Sequence, residues 1–272
     1  MSALGFRNLI KVLARSRSPR FTADMLRQSP NSSLARLRWS GHDVFYRSGT
    51  ADPFVIYQVL LKRGSKAEYY VPPTLQPRVI LDIGSNVGAS IIYFHKRFPG
   101  AQIFGFEPHP DTFRILEKNV ASLTAVKIFN FGLGASDQRI AVRADAVNFG
   151  AFNTRGDFKD RGFAATAVEC QVRRFDSVLR ELGLDHVDLM KIDCEGAEAD
   201  VFSALPDEIL FRCQWIVGEF HDHTGFEVLA RLAPHFHLDL KKKMFRPRFR
   251  FHACNIRTRE TISRSDVDAL QR

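Results

Sequence analysis

The chain has 272 residues, of which 45% are hydrophobic and 25% are charged, and these ordinary globular values exclude wholesale disorder. Its length suits one domain with a sizeable core, and no run approaches the ~20 apolar residues of a membrane-spanning helix. The net charge is +9, but residues 1–50 alone carry +7 and the remainder only +2, which argues against nucleic-acid binding by the whole protein.

The N-terminus predicts a short basic amphipathic helix. Its apolar residues recur with helical spacing, while Arg7 and Lys11 lie on other faces. These apolar residues are Phe6, Leu9, Ile10 and Leu13. Such a helix can rest on an anionic membrane surface, dock on a partner or pack on its own domain. The two charged residues interrupt any signal-peptide core, so we expect a cytoplasmic protein, with possible attachment at the inner face of the membrane.

The four cysteines are widely separated in sequence, at positions 170, 194, 213 and 254. This spacing contains no CxxC pair and no zinc motif, and it fits a reducing compartment.

Three segments divide the chain. Residues 1–33 form the basic N-terminal segment, of which 14–33 are rich in Ser, Arg, Pro and Asn and predict a linker. Residues 34–258 form the main domain, with a cofactor-binding core at 78–220, and residues 259–272 form a tail.

The main domain begins with two small elements. Alternating apolar residues over 34–46 predict a hairpin around Gly41. Residues 53–62 predict a helix with Phe54, Leu60 and Leu61 facing inward.

The core predicts a doubly wound α/β fold with a mostly parallel sheet, because strands and helices alternate. The strands are predicted at 79–83, 102–106, 126–131, 187–192 and 214–220, and the helices at 89–96, 111–120, 175–182, 198–205 and 225–233. Residues 135–168 are irregular and predict short antiparallel strands or a loop over the site, and 236–240 with 248–256 predict a terminal antiparallel hairpin. The basic and aromatic residues of 241–251 also resemble a single-stranded nucleic-acid site, but the alternation of a half-buried strand explains them better.

A glycine-containing turn follows the first core strand. The segment DIGSNVG (82–88) lies between a buried strand and a helix N-terminus, where a ligand can approach the backbone. It lacks the three-glycine register of a dinucleotide site, and its carboxylate suits the cationic groups of S-adenosylmethionine better than a pyrophosphate. The candidate cofactor-binding residues here are Asp82, Gly84, Ser85, Asn86 and Gly88.

Two later segments extend this candidate cofactor site. Glu107, followed by Pro108, ends the next strand, where an acid can accept both hydroxyls of a ribose. Ser136 and Asp137 follow the third strand, where either side chain could accept the exocyclic amine of adenine, although an ordinary turn would look the same.

Three stretches together resemble one family. VILDIGSNVGAS, FGFEPHPDTF and DLMKIDCEGAEADVF, with Glu219 beyond them, are similar to the motifs of FkbM-type S-adenosylmethionine-dependent methyltransferases. The likeness covers roughly residues 43–255, and Cys194 departs from it where an aliphatic residue is common. This resemblance implies S-adenosylmethionine as cofactor and O-methylation of a hydroxyl, often on a sugar or a natural product.

The candidate catalytic residues are Asp193, Glu195 and His221. They follow the fourth and fifth core strands, at the carboxyl edge where ligands bind in such sheets. A hydroxyl acceptor must lose its proton to a carboxylate or an imidazole, although Asp193 or Glu195 could instead cap the helix that follows. Asp193, Glu219 and His221 could also hold Mg²⁺ or Mn²⁺, but we do not expect a metal.

Two other functions remain open. The basic ends suggest an RNA methyltransferase, but the Asn/Asp-Pro-Pro-aromatic motif of base-amine methylation is absent after the fourth strand. A non-catalytic nucleoside-binding protein is the other alternative, against which the retained Asp193 and Glu195 argue. We therefore expect a glycan, glycolipid or small-molecule acceptor rather than nucleic acid, and the oligomeric state stays open.

Overall fold

A computed structural model describes residues 3–26, 32–64, 67–143, 167–242 and 249–258. The chain begins with α1 (Ala3–Ser16) and α2 (Pro19–Asp24), which precede the antiparallel hairpin of β1 (Leu34–Trp39) and β2 (His42–Arg47). The hairpin predicted around Gly41 is therefore confirmed. The linker predicted over 14–33 is wrong at α2, where Ser18 caps the helix, Pro19 starts it and Phe21 is fully buried.

The helix predicted at 53–62 changes type along its length. It begins as α3 (Asp52–Ile56) and continues as a π-helical turn at Tyr57–Leu61. Leu60 and Leu61 are buried as expected, but Phe54 is 55% exposed. The wider turn rotates the later residues relative to the earlier ones. A regular helical period had placed Phe54 on the same inward face as Leu60 and Leu61, and this prediction was wrong.

A seven-stranded sheet forms the centre of the molecule. Its first five strands in sequence run parallel, and the last two complete it as an antiparallel hairpin. The strands are β3 (Val79–Ile83), β4 (Gln102–Phe106), β5 (Val126–Phe129), β9 (Leu189–Ile192), β10 (Trp215–Phe220), β11 (Phe236–Lys242) and β12 (Phe249–Asn255). Their order across the sheet is β11-β12-β10-β9-β3-β4-β5. The predicted doubly wound, mostly parallel sheet is confirmed.

Helices cover both faces of this sheet, and successive strand residues enter opposite cores. Ile80 packs into the core on one face of the sheet, whereas Leu81 packs into the core on the other face. Phe21 and Tyr46 join the first core, so the N-terminal elements pack against the domain. The helices are α4 (Ala89–Arg97), α5 (Pro110–Val120), α6 (Phe175–Glu181), α7 (Glu198–Ser203), α8 (Asp207–Leu210) and α9 (Gly225–Leu232).

A separate three-stranded sheet follows β5. The strand predicted to reach residue 131 ends at Phe129, and the next strand pairs elsewhere. This sheet contains β6 (Gly132–Gly134), β7 (Gln138–Arg143) and β8 (Ala167–Arg174). The antiparallel pairing of β7 with β8 confirms the short strands predicted within 135–168. Residues 144–166 of that stretch, the centre of the 241–251 stretch and the tail lie outside the described residues.

Candidate active site

A cavity opens at the carboxyl ends of the parallel strands. Its wall combines the turn after β3, the residues after β4 and β9, the start of β6 and part of the N-terminal region. The polar residues among those lining it include Tyr69, Ser85, Asn86, Glu107, Lys191, Asp193 and Glu195. The structure therefore brings residues from separate sequence motifs to one site, at the sheet edge where doubly wound folds bind ligands.

The glycines of the turn are required by the chain's own packing. Gly84 has a φ of +79°, and a Cβ there would lie 1.9 Å from the carbonyl oxygen of Asp193. Gly88 has a φ of +84°, and a Cβ there would lie 2.7 Å from Leu116 Cδ1. Both glycines are therefore required for close packing against neighbouring segments. Gly84 also lines the cavity together with Ser85 and Asn86, as the sequence predicted, whereas Gly88 is not among the described residues that line it.

Asp82 lies beneath the turn rather than in the cavity wall. Its side chain is fully buried, with Oδ1 3.2 Å from Lys191 Nζ, and Oδ2 accepts a 2.5 Å hydrogen bond from Ser90. Lys191 also donates to the carbonyl oxygens of Ile83 and Gly84. The predicted contact of Asp82 with a cationic cofactor is therefore corrected, because this carboxylate neutralises a buried lysine that fixes the turn.

Lys191 keeps its charge in this buried position. Burial opposes the charge, but the carboxylates of Asp82 and Asp193 outweigh that effect and raise the pKa of Lys191. Its salt bridge is to Asp82, and Asp193 acts on it through its charge.

Glu107 lies in the cavity wall as predicted, and Pro108 follows it there. The two carboxylate oxygens accept hydrogen bonds of 2.9 Å from the backbone N–H groups of Asn86 and His109. Burial raises the pKa of Glu107 to about 7, against these two hydrogen bonds, which lower it. The backbone contacts fix the carboxylate in place and leave each oxygen with further capacity to accept a hydroxyl.

Ser136 and Asp137 are not brought to the cavity. Both are exposed, and neither is among the described residues that line it. Asp137 instead accepts a 2.7 Å hydrogen bond from the backbone N–H of Arg174 at the end of β8. Gly132 and Leu133, slightly earlier in the chain, take the place in the wall that these two residues were predicted to occupy.

His221 lies at the centre of a cluster of carboxylates. Its Nδ1 is 2.8 Å from Glu198 Oε1, and its Nε2 is 3.2 Å from Glu195 Oε2. Nε2 is also 3.7 Å from Asp193 Oδ1 and 3.9 Å from Glu219 Oε1. The three candidate catalytic residues therefore meet, as the sequence predicted.

This environment determines the charge of His221. Burial opposes protonation, but the hydrogen bond to Glu198 and the charges of Glu195 and Asp193 outweigh it and raise the pKa of His221 to about 9. The imidazole is therefore protonated at neutral pH, with Nδ1–H donating to Glu198 and Nε2 forming an ion pair with Glu195. A protonated imidazole cannot accept a proton, so the structure argues against His221 as the base and leaves the carboxylates.

Glu195 reaches this cluster through an uncommon backbone conformation. Its φ is +54°, in the left-handed region that non-glycine residues rarely occupy, and Gly196 follows with a φ of +108°. Glu198 accepts hydrogen bonds from the backbone N–H groups of Cys194 and Gly196 and so supports this bend. Backbone strain of this kind often occurs at functional sites.

The same residues also offer a possible metal site. Asp193, Glu195 and His221 each present one ligand atom, and these atoms lie within 4.8 Å of one another. Carboxylate oxygens and an imidazole nitrogen suit Mg²⁺ or Mn²⁺, provided that the imidazole is neutral. Glu219, also proposed from the sequence, is not part of this set among the described residues.

Sequence reasoning missed the N-terminal contribution to the site. Tyr69 lines the cavity and donates a 2.5 Å hydrogen bond to Asp193 Oδ2, while Val55 and Val59 add apolar wall. The segment containing Tyr69 has no periodic pattern or motif, so no sequence signal indicated that it reaches the carboxyl edge.

Comparison with known proteins identifies the family of this chain. The model of the methyltransferase FkbM domain matches residues 82–251. Part of this chain, 67%, is 30% identical to a region making up 10% of the antimetabolite synthetase AmbE of Pseudomonas aeruginosa. The 2-O-methyltransferase NoeI of Sinorhizobium fredii is 28% identical over 55% of this chain and 65% of its own length. The 31-O-demethyl-FK506 methyltransferase FkbM of Streptomyces tacrolimicus is 27% identical over 58% of this chain and 71% of its own length. This chain belongs to the FkbM methyltransferase family.

Proposed function

We propose that this chain transfers the methyl group of S-adenosylmethionine to a hydroxyl oxygen of a glycan, glycolipid or natural product. The observation that carries the proposal is the placement of Glu107 and Asp193 in the wall of one cavity. A buried carboxylate at the end of β4 fits a ribose, and a second carboxylate at the end of β9 fits an acceptor hydroxyl.

The residues of the wall fit this cofactor. Glu107 would accept the ribose hydroxyls, while the turn at Ser85 and Asn86 would bound the cofactor beside the N-terminus of α4. Leu133 supplies an apolar contact next to Pro108. When bound, S-adenosylmethionine supplies a methyl group on a sulfonium centre that is open to in-line attack. The protein's main contribution is then to hold the attacking oxygen in line with that methyl group.

Asp193 is the proposed base. One of its carboxylate oxygens is held by Tyr69, and the other faces His221 at 3.7 Å. The protonated His221 would support the charge of Asp193 and Glu195, and Glu195 would orient the acceptor. The carboxylate of Asp193 then takes the acceptor's proton as the oxygen attacks.

The cofactor assignment predicts a specific loss in Glu107→Ala. Two charge-assisted hydrogen bonds to ribose, each worth ~1.5–3 kcal/mol, should disappear and weaken S-adenosylmethionine binding by about a hundredfold or more. Calorimetry at pH 8 measures this while the wild-type carboxylate is ionised. The matched control is Asp111→Asn, which changes an exposed carboxylate at the start of α5 and should bind normally. Unchanged affinity in Glu107→Ala would disprove the ribose assignment.

The acceptor class draws support from the names of two relatives. NoeI is named a 2-O-methyltransferase and FkbM a 31-O-demethyl-FK506 methyltransferase, and both names place the methyl group on oxygen. The decisive screen incubates the protein with methyl-labelled S-adenosylmethionine and extracted envelope glycans, lipids, small metabolites or total RNA. Label in a hydroxyl of the first three pools supports the proposal. Label confined to RNA, with salt-sensitive binding, would favour the rival RNA methyltransferase.

A second proposal concerns α1, which we propose rests on anionic membrane surfaces. Ile10 is 52% exposed and Leu13 43% exposed on this helix, whereas Val12 is buried against the domain. Apolar side chains beside basic residues such as Lys11 suit the interface of an anionic bilayer. Among the described residues, no helix is long and apolar enough to cross a membrane.

Vesicle flotation tests this attachment. The wild-type protein should float with phosphatidylglycerol vesicles more than with phosphatidylcholine vesicles, and the double substitution Ile10→Asp with Leu13→Asp should abolish the difference. Phe226→Asp, which changes an apolar residue that is 64% exposed on α9, is the matched control and should float normally. Equal partition of the wild type and the double variant would end the proposal.

A further inference from the structure

Tyr69 reaches the active site from outside the region that defines the family. It precedes residues 82–251, which the family model matches, and it lies between the π-helical turn and β3. Its side chain is 7% exposed and lines the same cavity as Glu107 and Asp193. The N-terminal part of the domain therefore contributes a polar group to a site otherwise built at the sheet edge.

The hydroxyl of Tyr69 distinguishes the two oxygens of Asp193. It donates a 2.5 Å hydrogen bond to Oδ2, whereas Oδ1 lies 3.7 Å from His221 Nε2. A carboxylate with one oxygen bound in this way has a defined rotation about its side chain. Oδ1 then remains the oxygen turned toward the histidine and the carboxylate cluster.

Neighbouring contacts fix Tyr69 in this position. Glu68 forms a 3.1 Å salt bridge with Arg250 of β12, and its backbone N–H donates to the carbonyl of Gln58 at 3.2 Å. Val71, two residues later, is buried in the core. The aromatic ring also lies 5.2 Å from Lys191 Nζ, a distance suited to a cation–π contact. The tyrosine is thus anchored to both the last strand and the buried lysine.

The hydroxyl acts as a donor and not as a base. Burial, with the nearby charges of Asp193 and Glu68, raises the pKa of Tyr69 well above its usual value. The phenol therefore keeps its proton at neutral pH. Its hydrogen points to Asp193, so Tyr69 is the donor and Asp193 the acceptor of this hydrogen bond.

We infer that Tyr69 is a positioning residue for the proposed methyl transfer, holding Asp193 so that Oδ1 is presented to the acceptor hydroxyl. This inference rests on the proposed function. Tyr69 acts through Asp193, and removing its hydroxyl should misplace the base while leaving the cofactor subsite around Glu107 intact.

The kinetic test is Tyr69→Phe, which keeps the ring over Lys191 and removes only the hydroxyl. We expect kcat to fall about tenfold to a hundredfold, since a small misplacement of a reacting group has effects of this size. The KM and the calorimetric affinity for S-adenosylmethionine should stay unchanged. In an Asp193→Asn background, Tyr69→Phe should cause no further loss, because the two residues act as a unit.

The matched control is Tyr46→Phe. It removes another tyrosine–aspartate hydrogen bond, the 2.9 Å contact with Asp24, from a buried tyrosine outside the cavity. Tyr46→Phe should lower stability and leave kcat unchanged. An unchanged kcat in Tyr69→Phe, or full additivity with Asp193→Asn, would overturn the positioning role.

A second measurement does not require an acceptor. In protein labelled with ¹³C at the tyrosine ring carbon that bears the hydroxyl, the Tyr69 signal is assigned by its loss in Tyr69→Phe. It should shift in Asp193→Asn and stay in place in Asp200→Asn, which changes an exposed residue of α7. A Tyr69 signal whose chemical shift is unchanged in Asp193→Asn would overturn the inference. Absence of methyl transfer by the wild type to every acceptor pool would refute the proposed function instead, so the two failures are distinguishable.

Discussion

Asp193→Asn is expected to lower turnover by about 10²–10⁴-fold, the usual contribution of a positioned proton-transfer group. The amide keeps the size of the side chain but cannot take the acceptor's proton. Affinity for S-adenosylmethionine should change little, because Asp193 acts on the acceptor and not on the ribose. Steady-state kinetics with an acceptor from the labelled screen, together with calorimetry, measures both quantities.

A control variant and a chelator test accompany this prediction. Asp200→Asn changes an exposed carboxylate of α7 and should retain wild-type turnover. Turnover of Asp193→Asn within a few-fold of the wild type would contradict its role as base. If a chelator abolishes wild-type activity and Mg²⁺ or Mn²⁺ restores it, Asp193, Glu195 and His221 would instead be metal ligands.

The free energy of unfolding is expected to fall between pH 6.5 and 9 by up to about 3 kcal/mol, because the folded protein raises the pKa of His221 to about 9. The protonated imidazole is stabilised by the surrounding carboxylates only in the folded state. This contribution is complete below the unfolded pKa of about 6.5 and is lost as the pH rises through the folded value.

Urea unfolding at several pH values, with a chelator present, measures this dependence. His221→Gln should flatten the curve over the same range, even if its stability is lower at pH 6.5. His186→Gln, which changes a histidine beside Asp185 at the surface, is the control and should keep the wild-type slope. Stability that is constant or rises from pH 6.5 to 9 would show that His221 is not held protonated.

The strands of the central sheet and their alternation with helices follow closely from sequence patterns. Residues 79–83 form an apolar run interrupted only by Asp82, which is typical of a strand buried on both faces. The turn after this strand, the hairpin at Gly41 and the terminal hairpin were also predictable, because glycine indicates a turn and alternating apolar residues indicate a strand. The meeting of Asp193, Glu195 and His221 followed from the rule that parallel strands end at one edge.

Other features depend on contacts that sequence patterns do not encode. Asp82 pairs with Lys191, which is more than 100 residues later, so its role beneath the turn was not visible. Phe54 is exposed because a π-helical turn alters the helical period. The pair Ser18-Pro19 did carry a helix-start signal, but the surrounding Ser- and Arg-rich composition obscured it.

The charge of His221 was also beyond sequence analysis. Its usual pKa suits a base at neutral pH, and only the three-dimensional surroundings of Glu195 and Glu198 reverse that expectation. Tyr69 reaches Asp193 across 124 sequence positions. Composition and periodicity describe only a few neighbouring residues. They therefore predict the strands that position the site, but not the contacts between side chains that are distant in sequence.

A crystal structure with bound S-adenosylhomocysteine tests the central claim most directly. The account predicts ribose hydroxyls within hydrogen-bond distance of Glu107 and the sulfur facing the side of the cavity that holds Asp193 and Glu195. Ribose bound away from Glu107, or sulfur directed away from both Asp193 and Glu195, would contradict the account.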